Sequence, residues 1–325
     1  MAKKEKELEP TQLNMLEEFD NSIFESILPV STEKDSKYPK LLSIVPLFAA
    51  GEREKYTTDQ HKGLVYRLPK GRIRRIGPGI DVYDEDTLIA ILQLGAEKQV
   101  VGPPEAMPVA LHSSSSPQNK HITVYKGKVT AGAINGFLAR GGGGADLEGT
   151  RESIRRLANQ RLWFENLGGD NDQEGVTDFF KYSGSSDLKG ELLIQISPEM
   201  VNLLKSYEVI DMTIRRELNA TGKAVHRFLT PQPAIMSMKL DDLAEAICYE
   251  QGGTALKRSL LGRKPTSKQK GRPNQLELMI SLGFLKEASI TGTGRNTPFV
   301  LNIVKNMQER KADLENFAEP VMSIS

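Results

Sequence analysis

Two stretches of this sequence concentrate cations with no carboxylate among them. From Lys62 to Ile80 stand Lys62, Arg67, Lys70, Arg72, Arg74 and Arg75. From Gly253 to Gln275 stand Lys257, Arg258, Arg263, Lys264, Lys268, Lys270 and Arg272. Seven positive charges in those 23 residues form an unscreened patch. Such a patch suits phosphate neutralisation, with an affinity that falls steeply as salt rises. The same runs would also serve as solvated basic loops. A third cluster is of another kind. A helix is expected from Arg151 to about Phe164, capped by Thr150, with Ile154, Leu157, Ala158 and Leu162 on one face. Arg155, Arg156, Asn159 and Gln160 fall on the opposite arc. Arg, Asn and Gln pair with base edges, and a major groove admits one helix. Arg161 falls near the apolar arc, so the helix is expected to end or bend there.

Catalytic arrangements are missing from the sequence pattern. The four histidines, His61, His112, His121 and His226, form no His-x-His or His-x-x-x-His spacing. Thr221-Gly222-Lys223 fails as a phosphate-binding loop, because Glu217 and Ala224 stand where Gly and Ser or Thr are needed. Gly141 to Gly144 lacks a following Lys-Ser/Thr and the spacing of a dinucleotide fingerprint, so it reads as a flexible turn. Asp84-Glu85-Asp86 and Asp241-Asp242 read as helix-start signals rather than paired catalytic carboxylates. Cys248 and Trp163 are expected in the core. No enzyme, metal or cofactor is expected.

The elements that must carry these residues come from the rest of the chain. Its 325 residues suffice for about two domains. The net charge is +1, so distribution matters more than the sum. The single cysteine excludes an intramolecular disulfide and fits a reducing compartment. No run of about 18 apolar residues predicts a membrane span, and Met1 to Glu7 lacks a signal-peptide core. A bacterial cytoplasmic location is expected. Residues 1–60 hold twelve acidic residues against eight basic ones. They read as a polar, partly disordered tail and linker with a possible amphipathic helix over Thr11 to Leu28 and one apolar island at Leu41 to Phe48. Domains are expected at 61–205 and 206–325.

Within the first domain, Gly63 to Ile76 reads as two strands around a Pro-Lys-Gly turn. A helix follows Asp84-Glu85-Asp86. Residues 100–119 read as a loop and Ile122 to Tyr125 as a strand. Thr130 to Ala139 is expected to be a helix ended by Arg140 and the four glycines. After the polar helix come strands at Phe179 to Tyr182 and Leu192 to Ile196. Helix, turn, basic helix and two strands is the order of a winged helix-turn-helix. The second half repeats it. A helix starts at Ser197-Pro198-Glu199. Helices are also expected over Leu218 to Leu229, Lys239 to Ile247 and Asn274 to Leu285. Ala288 to Ile290 and Phe299 to Val304 then form a hairpin around Thr291 to Asn296, a glycine-rich basic tip. The fold class is therefore α+β, with two tandem winged helix-turn-helix domains.

Residues ~60–305 resemble the plasmid replication initiator (Rep) proteins, especially the TrfA type. Ile80-Asp81-Val82-Tyr83-Asp84-Glu85-Asp86-Thr87-Leu88 and on to Leu94 is similar to the family's first strand-to-helix segment. Gly149-Thr150-Arg151-Glu152-Ser153-Ile154-Arg155-Arg156-Leu157 resembles its first recognition helix. Leu193 to Leu204 resembles the passage that closes the first winged domain. The resemblance implies a protein that binds iteron repeats in double-stranded DNA at a plasmid origin. It implies melting of a nearby segment and recruitment of host replication proteins, helicase and initiator among them. It also implies monomers that initiate and homodimers that repress, and so control copy number. By position, Arg151, Ser153, Arg155, Arg156, Asn159 and Gln160 would face one groove. Arg263, Lys264, Lys268, Lys270, Arg272 and Asn274 would serve the second domain, with Arg295 and Asn296 on its wing. Gly271 and Pro273 interrupt the second recognition helix, because Pro costs ~3 kcal/mol inside a helix. That helix is short, kinked or preceded by a basic loop. A winged-helix transcriptional repressor would share all of this binding chemistry.

Overall fold

The computed structural model describes residues 35–51, 64–68, 71–94, 97–101, 122–165, 174–197, 200, 203–204, 207–263, 271–294 and 297–306. The elements within them run β1 (Asp35–Pro39), α1 (Lys40–Ile44), β2 (Leu64–Leu68), β3 (Gly71–Ile76), α2 (Val82–Leu94), β4 (Glu97–Val101) and β5 (Ile122–Val129). There follow α3 (Ala131–Phe137), α4 (Gly144–Ala158), β6 (Arg161–Glu165), β7 (Glu174–Thr177), β8 (Phe180–Gly184), β9 (Leu192–Ile196) and β10 (Tyr207–Asp211). The last are α5 (Met212–Glu217), α6 (Ala220–Leu229), β11 (Ile235–Lys239), α7 (Leu240–Ala246), α8 (Gly252–Leu261), α9 (Gln275–Ser281), β12 (Leu285–Thr291) and β13 (Val300–Lys305). The class is α+β, as the sequence indicated.

The chain divides into two compact units. One comprises Met1–Leu42 with Glu54–Ile210, the other Ser43–Arg53 with Asp211–Ser325. This differs from a tail ending near residue 60. Among the residues expected as linker, Tyr38, Leu42, Val45, Leu47 and Phe48 are each fully buried. The apolar island is core, and its residues from Ser43 on belong to the second unit. The expected helix over Thr11 to Leu28 and the start at Ser197-Pro198-Glu199 lie outside the described residues or across their edge.

In the first unit α2, α3 and α4 pack together. Asp81 caps α2, its Oδ1 accepting from the amides of Tyr83 and Asp84. Thr130 caps α3 through the amide of Ala133. Two antiparallel sheets accompany the helices, in the orders β2-β3-β6-β7 and β4-β5-β9-β8, and β1 pairs with β10. The polar helix departs from expectation at its start. It begins at Gly144, with Gly143 as N-cap and Asp146 in its first turn. A carboxylate there is favoured by the helix dipole. Thr150 is no cap: it is buried in the helix, and its hydroxyl bonds to Asn135 of α3. The helix stops at Ala158, so the ending expected near Arg161 is found. Residues Arg161–Glu165 are instead a strand, pairing antiparallel with β3. Trp163 therefore lies on a sheet and is partly exposed, where core was expected.

The second unit is helical around one sheet of order β11-β13-β12, all antiparallel. Asn219 caps α6 through the amide of Gly222. Gly222 is needed for a close approach, since a Cβ there would fall 2.4 Å from Oε1 of Gln275. That oxygen accepts from the amide of Asn219, joining the starts of α6 and α9. Lys305 is buried at the end of β13. Its ammonium donates to the carbonyls of Leu229, Thr230 and Gln232, and so collects the end of α6 and the turn beyond it.

Candidate nucleic-acid interface

On α4 the residues expected on one polar face point in different directions. Arg151 is 5% exposed, and its fork donates to the carbonyls of Ser185, Leu188 and Gly190. Ser153 is buried and donates to Oδ1 of Asp84 at 2.6 Å. Gln160 is fully buried. Its oxygen accepts from Arg75, and its amide donates to the carbonyls of Pro78 and Arg156. Arg156 is half-buried and grips Asp84, with Nη2 to Oδ1 at 2.7 Å and Nε to Oδ2 at 3.1 Å. Burial opposes its charge, but the hydrogen bonds and charge of Asp84, with Asp81 and Glu152 behind it, hold its pKa above the usual arginine value. Arg151, Ser153 and Gln160 are thus corrected from groove-facing to internal positions. A charged or amide side chain that loses water needs internal partners, and each of these has them.

Arg155 and Asn159 remain on the surface. Asn159 is the C-cap of α4, its amide donating to the carbonyl of Arg155 at 2.9 Å. Around them α4 exposes Asp146, Glu148 and Glu152, so its outer face is more acidic than basic. Among the described residues, further exposed cations of this unit stand on its strands and on the β8–β9 turn. On the outer face of the second sheet, Lys126, Gln195 and Lys181 form one cross-strand row. Lys128, Leu193 and Ser183 form the next. Lys128, Lys181 and Lys189 are exposed, and Lys128 pairs with Glu191 at 3.3 Å. The first sheet shows Arg72 and Arg161 on its surface, and Arg74 lies 5.7 Å from the Trp163 ring centre. The period-2 spacing of Lys126 and Lys128 was the available sequence signal for the strand cations.

In the second unit the basic run contains a helix that was not anticipated. Lys257 and Arg258 sit on α8, with Arg258 exposed. The turn from α7 to α8 is tied by Asp241, whose Oδ1 accepts from the amide of Gly253 at 2.8 Å. Thr221 of α6 and Ser259 of α8 share a hydroxyl bond of 2.7 Å. Past α8, Arg263 and Arg272 form an antiparallel bridge through both backbone amides, at 2.9 and 2.7 Å. Gly262 makes that closure possible. Its φ is +66°, and a Cβ there would lie 2.3 Å from the Arg272 carbonyl. Arg263 and Arg272 are both exposed at the neck. Lys264, Lys268 and Lys270 fall between them, outside the described residues. A short α9 is one of the arrangements that Gly271 and Pro273 suggested. Asn274 is not turned to a groove: it caps α9, accepting from the amides of Leu276 and Glu277. Arg295 and Asn296, between β12 and β13 in sequence, lie outside the described residues. The base of that turn is ordered by Thr293 and Gly294, whose amides donate to the carbonyl of Thr297.

No family model matches the chain, and no curated protein matches it either. Solved structures do match. A selenomethionine crystal structure of domain 2 and domain 3 of RctB is 11% identical, with a TM-score of 0.53. The match covers 83% of this chain and 99% of that one. The fold is similar to that of RctB domains 2 and 3. A second crystal structure of RctB domains 2-3 is 12% identical over 82% of this chain and 96% of that one, with a TM-score of 0.48. Identities this low concern the fold, and the residues that contact a ligand in RctB are not carried over. Among the described residues, no helix is long and apolar enough to cross a membrane.

Proposed function

We propose that the chain is a sequence-specific double-stranded DNA-binding protein that initiates plasmid replication at iteron repeats, each unit acting as a winged helix-turn-helix. The observation that carries this reading is the placement of exposed cations. In the second unit Arg258, Arg263 and Arg272 gather at the end of α8 and the neck beyond it. In the first, Arg155 is exposed on α4, Lys128 and Lys181 on strands β5 and β8, and Lys189 on the β8–β9 turn. The likeness in fold to domains 2 and 3 of RctB supports a two-unit arrangement of this kind.

The chemistry divides by residue type. Arginine forks match O6 and N7 of guanine, and lysines on strands neutralise phosphates as point charges. Phosphate contacts fix register, and the helix-borne arginines supply discrimination. The reading requires no catalytic group, metal or cofactor. Its partners are the origin duplex and the host helicase and initiator, in the bacterial cytoplasm. Monomers initiate and homodimers repress.

The test is fluorescence anisotropy of the full chain on duplexes tiled across the origin of the replicon that encodes it, against a scrambled duplex and over a salt series. Repeat-specific binding that weakens with salt supports the reading. Equal, weak binding to every duplex overturns it. Supplying the protein in trans to a plasmid carrying only the origin separates initiator from repressor.

A further inference from the structure

The turn between β8 and β9 is held by a residue of another element. Ser185, Leu188 and Gly190 aim their carbonyls at one guanidinium, that of Arg151 on α4, at 2.7, 3.2 and 2.8 Å. The turn also closes on itself. Ser185 donates to the carbonyl of Glu191, and Gly190 to that of Asp187. Asp187 Oδ1 accepts from the amide of Lys189. Gly190 is packed tightly, since a Cβ there would fall 2.4 Å from Cβ of Ser185. The turn therefore has one defined shape, and it displays Lys189 to solvent. A planar fork with five donors can satisfy three carbonyls at once, whereas an ammonium on a flexible stem does so poorly.

We infer that Arg151 is a positioning residue: it touches no DNA and fixes the β8–β9 turn so that Lys189 meets a backbone phosphate. The inference rests on the DNA-binding reading above. The second unit uses a comparable device. Lys257 of α8 places its ammonium 3.9 Å from the centre of the Phe299 ring, beside the β12–β13 turn, and Gly294 lies against that ring. In each unit a helix cation is spent on a hairpin.

The experiment uses the full-length chain and the origin duplex, with variants Arg151→Met, Lys189→Ala, the double variant and Gly190→Ala. Gly190→Ala disturbs the turn without altering α4, so the inference stays testable if Arg151→Met does not fold. Affinity is measured over a salt series, and trypsin cleavage is read at the Lys189–Gly190 bond. Arg151→Met and Gly190→Ala should each speed cleavage at that bond selectively. Each should weaken binding several-fold and reduce the salt slope by about 0.9, as Lys189→Ala does, because one phosphate contact is lost. The double variant should bind no worse than either single variant. Additive losses with a slope reduced by about twice that amount would make Arg151 a direct contact and overturn the inference. Unchanged affinity in Gly190→Ala with the turn cleaved would overturn it as well. If the wild-type chain binds no duplex, the DNA-binding reading itself fails. The selective cleavage then still reports whether Arg151 holds the turn.

Discussion

Replacing Asp84 by alanine should unfold the first unit at markedly lower urea. Asp84 is fully buried, and its two oxygens serve Arg156, Ser153 and the amide of Asp81. Removing one partner of a buried pair costs about 3–5 kcal/mol, because the other charge is stranded. The Arg156 side chain retains 19% exposure and can turn partly to water, which places Asp84→Ala near the lower end, about 3 kcal/mol. Arg156→Met strands the carboxylate at zero exposure and should cost about as much. The double variant has no stranded charge. It should cost well under the sum, leaving a coupling of about 2 kcal/mol. The assay is urea unfolding followed by tryptophan fluorescence. The chain has one tryptophan, Trp163 on β6, so the signal belongs to the first unit. The midpoint should move while the slope stays the same, as for a change in stability alone. Single-variant costs that add to within about 0.5 kcal/mol would refute the claim that these two groups act on each other.

Other outcomes follow from the same geometry. Phe48→Ala should destabilise by about 3–5 kcal/mol, because a fully buried ring is lost from a segment that looks like linker; thermal unfolding by circular dichroism would check this, and a loss below about 1 kcal/mol would return the segment to linker. Gly262→Ala should destabilise by more than about 1 kcal/mol, since alanine at φ +66° would also meet the Arg272 carbonyl; an unchanged melting temperature would contradict the bridge at the neck. Lys305→Met leaves three carbonyls without their cation and should cost about 3 kcal/mol, read from the urea midpoint by circular dichroism. Arg258→Ala or Arg263→Ala should lower the salt slope of duplex binding by about 0.9 each, if each meets one phosphate. Arg155→Ala should weaken origin binding by about 1–3 kcal/mol with the fold intact, if it reads a base.

Element types were legible wherever one signal dominated. The alternating run ending at Ile76 and the apolar run Leu192 to Ile196 became strands, and the helices expected from Thr130 and from Leu218 are found, beginning at Ala131 and Ala220. The polar helix was misread for a definable reason. Arg151 was set toward the groove by the resemblance alone. The 3.6-residue stripe runs Leu147, Arg151 and Ile154, so Arg151 lies on the inner face. Four glycines looked like a terminator, and Asp146 behind them supplied the true start. The inward turn of Ser153 and Gln160 depended on partners, Asp84 and Arg75, that lie about 70 and 85 residues away in sequence. No local pattern carries that information. The strand-borne lysines had a local signal, but a recognition-helix template draws attention to helices.

The assignment of Ser43–Arg53 to the second unit has a consequence for synthesis. The partners of this segment begin at Asp211, so it leaves the ribosome roughly 160 residues before they exist. At about 5–20 residues per second, that delay is on the order of 8–30 s. Throughout it Val45, Leu47 and Phe48 have no completed unit to enter, while the first unit, whose chain ends at Ile210, can already close behind them. The nascent chain therefore presents an apolar stretch early and for long, which is where a chaperone would be needed.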